Sequence, residues 1–425
     1  MSKKYKKWEK LDNTAKVFPV IATDEMTNTY RISVVLNEDV DKEVLQQALD
    51  IVLPKIPGFN LRLRTGFFWY YLEENGKPAP RVEEEKDYPC RRIYAQKNNS
   101  YLFRVTYYKN RINLEVFHVL TDGMGGIGFL RELTYQYLRL KHSELSDTIS
   151  DRLSEETSLN REDSYISNYN KASKSVYASK KAFLIKGDKL PYNGFGVIQG
   201  FLPVSQLKEV SRNKYGVSIN EYLISAFVYA TYRTYRRFIS EEKPIRVAVP
   251  VNMRPFFDSN TTKNFFVMIS AEFSPNKEEY SFDEVVAVIH DSIQSQMKKE
   301  HLEAIFSYNV SNEQHFAARS VPLFLKNIGI KVVYTRAALA NTTTITNIGN
   351  ITVKEEYEPY IKMFHSFLSF SKGQELKGTI TSYKDTLAYT FTSSFEDTTV
   401  QRRVFQQIAK DGIDVQIETN GVYYE

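Results

Sequence analysis

The stretch FHVLTDGMGGIG, residues 117–128, constrains the fold more than any other part of this chain. Upstream of it, YLFRVTYY (101–108) and RINLEVFH (111–118) read as two strands turned over at Lys109–Arg111, an antiparallel hairpin. Ile112, Leu114, Val116 and His118 share one face of the second strand, and His118 is the last of them. Downstream, Ile127, Leu130, Leu133 and Tyr137 fall on one face of a helix. A strand, a glycine-rich turn and a helix therefore follow one another.

Two overlapping patterns occupy the turn, and they imply different chemistry. Gly123-x-Gly125-x-x-Gly128 has the spacing of a dinucleotide-binding loop. His118-x-x-x-Asp122-Gly123 puts a titratable ring and a carboxylate at the exit of a strand. A dinucleotide unit needs a second parallel strand after the helix, ending in an acidic residue about 20 positions on. Here the helix runs into polar sequence from 143, and Glu144 ends no strand. The preceding strand also belongs to an antiparallel hairpin, whereas such a unit opens a parallel sheet. A nicotinamide oxidoreductase is set aside on these grounds. Scrambling this composition yields the histidine pattern on the order of 0.01 times. A lone histidine ending an apolar strand is commonly a satisfied core residue, so the pattern alone leaves a structural role open.

At about 150 residues per domain, 425 residues imply two or three domains. Hydrophobic residues make up 42%, enough for a large core, and 29 Tyr and 27 Phe favour strands and apolar pockets. A net charge of +5 does not call for nucleic acid and suits an anionic small molecule. Cys90 is the sole cysteine, which excludes an internal disulfide and fits a reducing, cytoplasmic compartment. Nothing around it lowers a thiol pKa, so no cysteine nucleophile is expected. No apolar run reaches the length of a membrane span. The start, MSKKYKKWEK, has no apolar h-region and reads as a solvated terminus. His118 and Asp122 without a third ligand make no metal site.

Along the chain, 30–36 reads as a strand, and Asp41 caps a helix carrying Val44, Leu45, Ala48, Leu49 and Val52. GFFWYYL (66–72) reads as a strand. The polar segment 143–194 reads as a linker or surface excursion, partly ordered at best. A second lobe begins near 195. Ser205 is expected to cap a helix that Gly216 stops, and Ser218 with Glu221, then Ser281 with Glu284, form capping boxes. Strands are expected at 245–251, 264–273, 343–353, 363–370, 377–384 and 387–394, and a last helix at about 397–410. The expected organisation is an N-terminal lobe over 1–175, the 143–194 excursion, and a C-terminal lobe over 195–425. His290, His301, His315 and His365 carry no motif and read as helix-face or core residues.

VFHVLTDGMGG resembles the H-x-x-x-D-G motif of the chloramphenicol acetyltransferase-like superfamily, which includes plant acyltransferases, peptide-synthetase condensation domains and alcohol acetyltransferases. WEKLDNTAKVFP (8–19), LPVSQLKEVSRNKYGVSINEYLISAFVYA (202–230), VAVPVNMRPFF (247–257) with Lys263-Asn264-Phe265, and TITNIGNITV (344–353) resemble further alcohol acetyltransferase segments, in order, over nearly the whole chain. Phe117 stands where condensation domains usually carry a first histidine, and Thr346 replaces the serine of "SNIG".

The resemblance implies an α/β chain of two lobes, mixed sheets flanked by helices, with a tunnel at their interface and a late segment within 350–390 crossing to the first lobe. It implies acyl transfer from acyl-CoA, as co-substrate, to a hydroxyl or amine, with His118 as general base. Asp122 then pairs structurally with Arg254, and the Gly123 amide is a candidate oxyanion donor. Gly125, Gly126, Asn347, Gly349 and Tyr383 become candidate substrate contacts. No metal or redox cofactor is expected; the partners are a small-molecule acyl donor and acceptor. A carrier-protein thioester as donor, or a catalytically silent binding homologue, are the alternatives.

Overall fold

The computed structural model describes residues 7–148, 153–171, 181–314 and 320–421. The hairpin around Lys109 lies inside a five-stranded sheet, ordered β12 (Ile361–Leu368), β2 (Thr29–Leu36), β7 (Arg111–Phe117), β6 (Phe103–Tyr108), β5 (Glu83–Glu84). A seven-stranded sheet runs β10 (Phe266–Phe273), β9 (Ile245–Asn252), β11 (Thr343–Asn350), β13 (Leu376–Tyr383), β14 (Thr386–Ser393), β8 (Gly196–Pro203), β15 (Gln416–Thr419). A small sheet joins β1 (Trp8–Lys10), β4 (Tyr70–Glu74) and β3 (Leu61–Thr65). Both large sheets are mixed: β5–β6, β9–β11 and β11–β13 are parallel and the other pairs antiparallel. β7 is antiparallel to both its neighbours, so the glycine-rich turn opens no Rossmann unit.

The described helices are α1 (Phe18–Ile21), α2 (Lys42–Val52), α3 (Gly123–Lys141), α4 (Ser164–Ser167), α5 (Val204–Lys208), α6 (Ile219–Tyr235), α7 (Arg254–Phe257), α8 (Phe282–Gln294), α9 (Lys299–Gln314), α10 (Leu323–Ala338) and α11 (Thr399–Lys410). Asp41 accepts the Val44 amide at the start of α2, and both capping boxes form at α6 and α8. α2 and α3 bury Leu45, Leu49, Leu130 and Leu133 against Leu114 and Val116 of the five-stranded sheet. α6, α8 and α11 bury Leu223, Phe227, Ile289 and Val404 in a second core with Val249, Ile345 and Phe391. Burying such side chains contributes about 1.5–3 kcal/mol each, so each sheet is a separately cored layer.

Two segments join these layers. β12, from the late chain, pairs antiparallel with β2, Phe364 opposite Val34 and Ser366 opposite Ile32, and is the crossover. Thr379 donates to the Ser366 carbonyl (2.6 Å) and Thr392 to the Leu368 carbonyl (3.0 Å), so β12 also clamps onto the seven-stranded sheet. His365 on β12 is a core residue, its pKa pushed down to about 3 by burial, and stays neutral. The other joint is 153–171. Ser154 and Thr157 bond Glu132, Arg161 pairs with Glu9 and donates to the Leu120 carbonyl, and Asn160 accepts from the Thr262 amide at 2.7 Å. Tyr165 is buried, its hydroxyl donating to the Phe266 carbonyl (2.7 Å). The polar side chains of 153–171, which suggested an excursion, are stitched along the seam between the layers; within the 143–194 segment, 149–152 and 172–180 lie outside the described residues, as does His315.

Other expectations need correction. GFFWYYL is not one strand: Gly66 donates to the Trp69 carbonyl (3.0 Å), 66–69 form a hairpin tip, and the strand starts at Tyr70. β8, β15, α9 and α10 carry no pattern strong enough to be read in sequence. Ser205 does not cap its helix. α5 starts one residue earlier, and Asp385, in the turn after β13, accepts the Ser205 amide (2.8 Å) and hydroxyl (2.9 Å). The cap thus comes from 180 residues away. Asp385→Ala is expected to lower stability by about 1 kcal/mol and Ser205→Ala by less; chemical denaturation showing the reverse order would restore the serine cap.

Candidate active site

β7 carries His118 to its exit because the strand's alternation runs out there, and the His118 amide donates to the Asn28 carbonyl (3.0 Å). The chain then makes one turn into α3. Asp122 is the N-cap of that helix, its Oδ1 accepting from the Met124 (3.2 Å) and Gly125 (3.4 Å) amides. Arg254, first residue of α7, grips the same carboxylate with both terminal nitrogens, Nη1–Oδ2 2.9 Å and Nη2–Oδ1 3.1 Å. The Phe265 amide adds a fifth donor at 3.1 Å. Arg254 is equally satisfied: Nε donates to the Thr261 carbonyl (2.8 Å), Nη2 to the Lys263 carbonyl (2.7 Å) and Nη1 to Asn252 Oδ1 (3.2 Å). The pair joins the start of α3 to the 261–265 loop of the other layer.

Asp122 makes no hydrogen bond to the His118 ring among those described. The ring's partner is Asn264, whose Oδ1 lies 2.9 Å from His118 Nδ1. The orientation of that amide is fixed: its Nδ2 donates to Asp12 Oδ2 (2.9 Å) and to the His118 carbonyl (3.3 Å). An amide oxygen only accepts, so Nδ1 must carry the proton and Nε2 holds the lone pair. Asp12 is buried, takes the Ala15 amide at 2.8 Å as well, and has its pKa pushed up to about 6 by burial. Around the imidazole, Phe18 of α1 stacks at 4.6 Å, Tyr30 meets it edge-on at 5.0 Å, and Phe266 lies at 5.7 Å. This apolar packing lowers the His118 pKa below its ordinary 6.5, against the opposing pull of Asp122 and the Asn264 bond. The residue keeps partial exposure between the layers.

The glycines divide by what surrounds them. A Cβ on Gly125 would lie 1.9 Å from Thr121 Oγ1 and 2.9 Å from the Thr262 carbonyl. One on Gly126 would lie 2.7 Å from Tyr30 Oη, which donates to the Asp122 carbonyl at 2.7 Å. Close packing of the helix start accounts for both. Gly123 is different. It is the first helical residue, a position that leaves its amide without an intrahelical acceptor, and among the described residues no acceptor engages it. A Cβ there would meet only the Ile348 side chain, at 3.9 Å. β11 shifts register between Asn347 and Gly349, and the intervening Ile348 packs against the core of the other layer. Asn347 is exposed and accepts the Gly349 amide (2.8 Å) in this bulge, with Gly349 at φ +90°. Tyr383 is buried against Phe364 at 5.4 Å, within the core.

The structure therefore gathers His118, Gly123, Asp122 and Arg254, with the 347–349 bulge beside them, and places Tyr383 in packing. Sequence spacing gave no warning of Asn264 or Asp12 as partners, since Asn264 lies 146 residues from His118 and Asp12 lies 252 residues from Asn264. Both fall in segments that carry the family resemblance, and no other signal pointed to them. Cys90 is buried and its thiol pKa is pushed up by that burial, so it offers no nucleophile. No group of three or more potential metal ligands occurs among the described residues. Two surface cavities stand out, one lined by Ile198, Arg402, Phe405 and Ile417, the other by Arg31, Glu85, Arg91 and Arg104; neither includes His118.

Two comparisons test the packing account. Gly128 has nothing within 4 Å of a Cβ, so Gly128→Ala is expected to gain up to about 1 kcal/mol, whereas Gly126→Ala loses about 1–3 kcal/mol by overpacking. Asp122→Asn leaves the Arg254 cation buried without its counter-charge and is expected to cost about 3–5 kcal/mol. Thermal and denaturant unfolding of the three variants reads all of these values.

No protein-family model matches the sequence, and no curated protein matches it either. Solved structures do. The first condensation domain of the calcium-dependent antibiotic synthetase, in complex with a substrate analogue, aligns at TM-score 0.62 and 13% identity over 96% of this chain and 99% of that one. TRI101 of F. sporotrichioides, complexed with coenzyme A and T-2, aligns at 0.61 and 12% over 98% and 100%. The TRI3 trichothecene 15-O-acetyltransferase of Fusarium sporotrichioides aligns at 0.57 and 10% over 95% and 94%. At such identities the likeness is one of fold: this chain has the two-lobed chloramphenicol acetyltransferase-like fold common to condensation domains and trichothecene acetyltransferases.

Proposed function

We propose that this chain is an acyltransferase that moves an acyl group from a CoA thioester to a hydroxyl or amine acceptor. The observation that carries the reading is the His118 tautomer. Asp12 pins the Asn264 amide, Asn264 holds Nδ1–H, and Nε2 is left as a lone pair on a ring kept neutral by burial. That is the protonation state a general base needs, and such a base contributes about 10²–10⁴ in rate.

The acceptor's O–H or N–H proton passes to Nε2 as its heteroatom bonds to the thioester carbon. The carbonyl oxygen becomes an oxyanion. The unengaged Gly123 amide, at the positive end of α3, is the donor placed to meet it. Collapse breaks the C–S bond, and the imidazolium returns the proton to the departing thiolate. No covalent acyl-enzyme is formed. Asp122 and Arg254 do not touch the reacting atoms; they hold the turn. A CoA donor is favoured over a carrier-bound one by Phe117, which stands where condensation domains carry their first histidine.

Free-thiol release with acetyl-CoA, longer acyl-CoAs and an acyl-loaded carrier protein, against an acceptor panel, tests the reading directly. His118→Ala is expected to lose about 10²–10⁴ in kcat; turnover retained by that variant ends the general-base assignment. The pH profile tests the tautomer. Because burial lowers the His118 pKa, kcat/KM is expected to stay level as pH drops from neutrality through 6.5 and to fall only below it, as the ring protonates. Asn264→Asp sets a carboxylate against Nδ1–H and is expected to raise the imidazole pKa, moving that acid limb upward. An acid limb unmoved by Asn264→Asp would separate Asn264 from the base.

A further inference from the structure

Helix α10 leaves most of its large apolar side chains exposed. Phe324, Leu325, Ile328, Val332 and Val333 form its outer face, and Phe324, Ile328 and Val333 are 66, 62 and 68% exposed. Its inner face is mixed: Leu323 and Ala338 are buried, Asn327 donates to the Tyr70 hydroxyl (3.2 Å), and the Tyr334 hydroxyl reaches Met26 Sδ (3.4 Å). A helix packed on a globular domain normally buries its large apolar side chains and does not leave this many in the open. The face continues beyond the helix. The Leu323 amide donates to the Phe67 carbonyl (2.9 Å) and Lys326 to the Phe68 carbonyl (3.1 Å), which sets the 66–69 hairpin tip against the start of α10. Phe67 there is 72% exposed and Phe68 lies edge-on to it at 4.8 Å. Scattered exposed apolar residues need no explanation, but one continuous patch of this kind marks an interaction surface.

We propose that α10 and the 66–69 tip form a docking face for an anionic lipid bilayer. Charge selects this occupant. α10 carries Lys326, Lys331 and Arg336 and no carboxylate, and Lys331 and Arg336 are exposed along its outer face. A second copy packed there about a two-fold axis would set these cations against one another, with no acidic partner on the helix. An anionic leaflet neutralises them while the apolar side chains enter the acyl boundary, the arrangement of interfacial helices. Two adjacent phenylalanines on a hairpin tip suit insertion, not the edge of a groove. Lys326 is tucked over the Trp69 ring at 3.5 Å and braces the tip against the helix. No described helix is long and apolar enough to cross a membrane, so this is attachment to a surface.

The face also adjoins the candidate site. α10 packs on α1, whose Phe18 stacks on His118 at 4.6 Å. A docked chain holds the His118 side of the molecule one short helix from the lipid, and the bilayer becomes the source of a lipophilic acyl donor or acceptor. That extension rests on the acyltransferase reading; the docking does not.

Flotation of the full chain with vesicles of phosphatidylcholine, and of phosphatidylcholine mixed with phosphatidylserine, tests it. The wild type is expected to float with the mixed vesicles and to lose binding at raised salt. Phe324→Ser/Ile328→Ser/Val333→Ser, matched to wild type in Tm, is expected to bind about tenfold more weakly or less, and Lys331→Glu/Arg336→Glu to lose the preference for the anionic lipid. Thiol release with water-soluble substrates is expected to be unchanged in both variants, so failure of docking and failure of acyl transfer are read separately. The proposal is overturned if the wild type stays with the soluble fraction, if the serine variant floats like wild type, or if light scattering shows a dimer that the serine variant dissociates.

Discussion

The fork between Asp122 and Arg254 is the contact on which the rest of the arrangement depends. One carboxylate caps α3, ends the turn after β7 and anchors a guanidinium from the other lobe. Removing two charges from water is costly, and such a pair holds only when every remaining lone pair and N–H is used. Here they are. The carboxylate has five donors and Arg254 gives its other bonds to the carbonyls of Thr261 and Lys263 and to Asn252. Those carbonyls belong to the loop that carries Asn264. The same fork that fixes the His118 turn therefore fixes the residue that orients the His118 ring.

A division of labour follows from that saturation. A carboxylate already holding five donors has no lone pair for an imidazole N–H, and Asp122 cannot act as the acid of a serine-protease-like triad. The task falls to a neutral amide. Asn264 sets the tautomer as an aspartate would, but adds no full negative charge beside the ring. The imidazole is then kept unprotonated by burial among Phe18, Tyr30 and Phe266, with the Asp122 charge only partly opposing. Asp12 completes the chain at one remove: it accepts from the amide nitrogen, so the amide oxygen has only one direction to face.

Elements whose cause is local were legible in the sequence. The Lys109 hairpin, the Asp41 cap, both capping boxes and the strand pair over Lys384–Asp385 are set by residues within a few positions of one another, and each stands within a few residues of its expected place. Elements whose cause is distant were not. The cap of α5 is supplied by Asp385, the polar 153–171 segment is held by Glu132, Glu9 and the 259–266 loop, and α10 is apolar on most sides, with no periodicity to mark which face lies open. The site divides in the same way. His118, Asp122 and Gly123 form one local word; Arg254 entered through resemblance; Asn264 and Asp12 act through contacts no spacing encodes.

The second pattern in the same turn shows why the local word needed the fold to be read. Gly123-x-Gly125-x-x-Gly128 serves phosphate binding only if the amides at a helix start are free to point at an anion. In this helix the anion is already there, and it is the protein's own: Asp122 takes the Met124 and Gly125 amides, and its main-chain carbonyl takes that of Gly126. A diphosphate would have to displace a carboxylate that Arg254 holds in place. Gly125 and Gly126 are small because Thr121, Thr262 and Tyr30 crowd them, and Gly128 meets nothing. One amide is left over, that of Gly123. A single donor at the positive end of a helix is too little for a pyrophosphate, but it matches the single oxygen that becomes negative when a thioester is attacked.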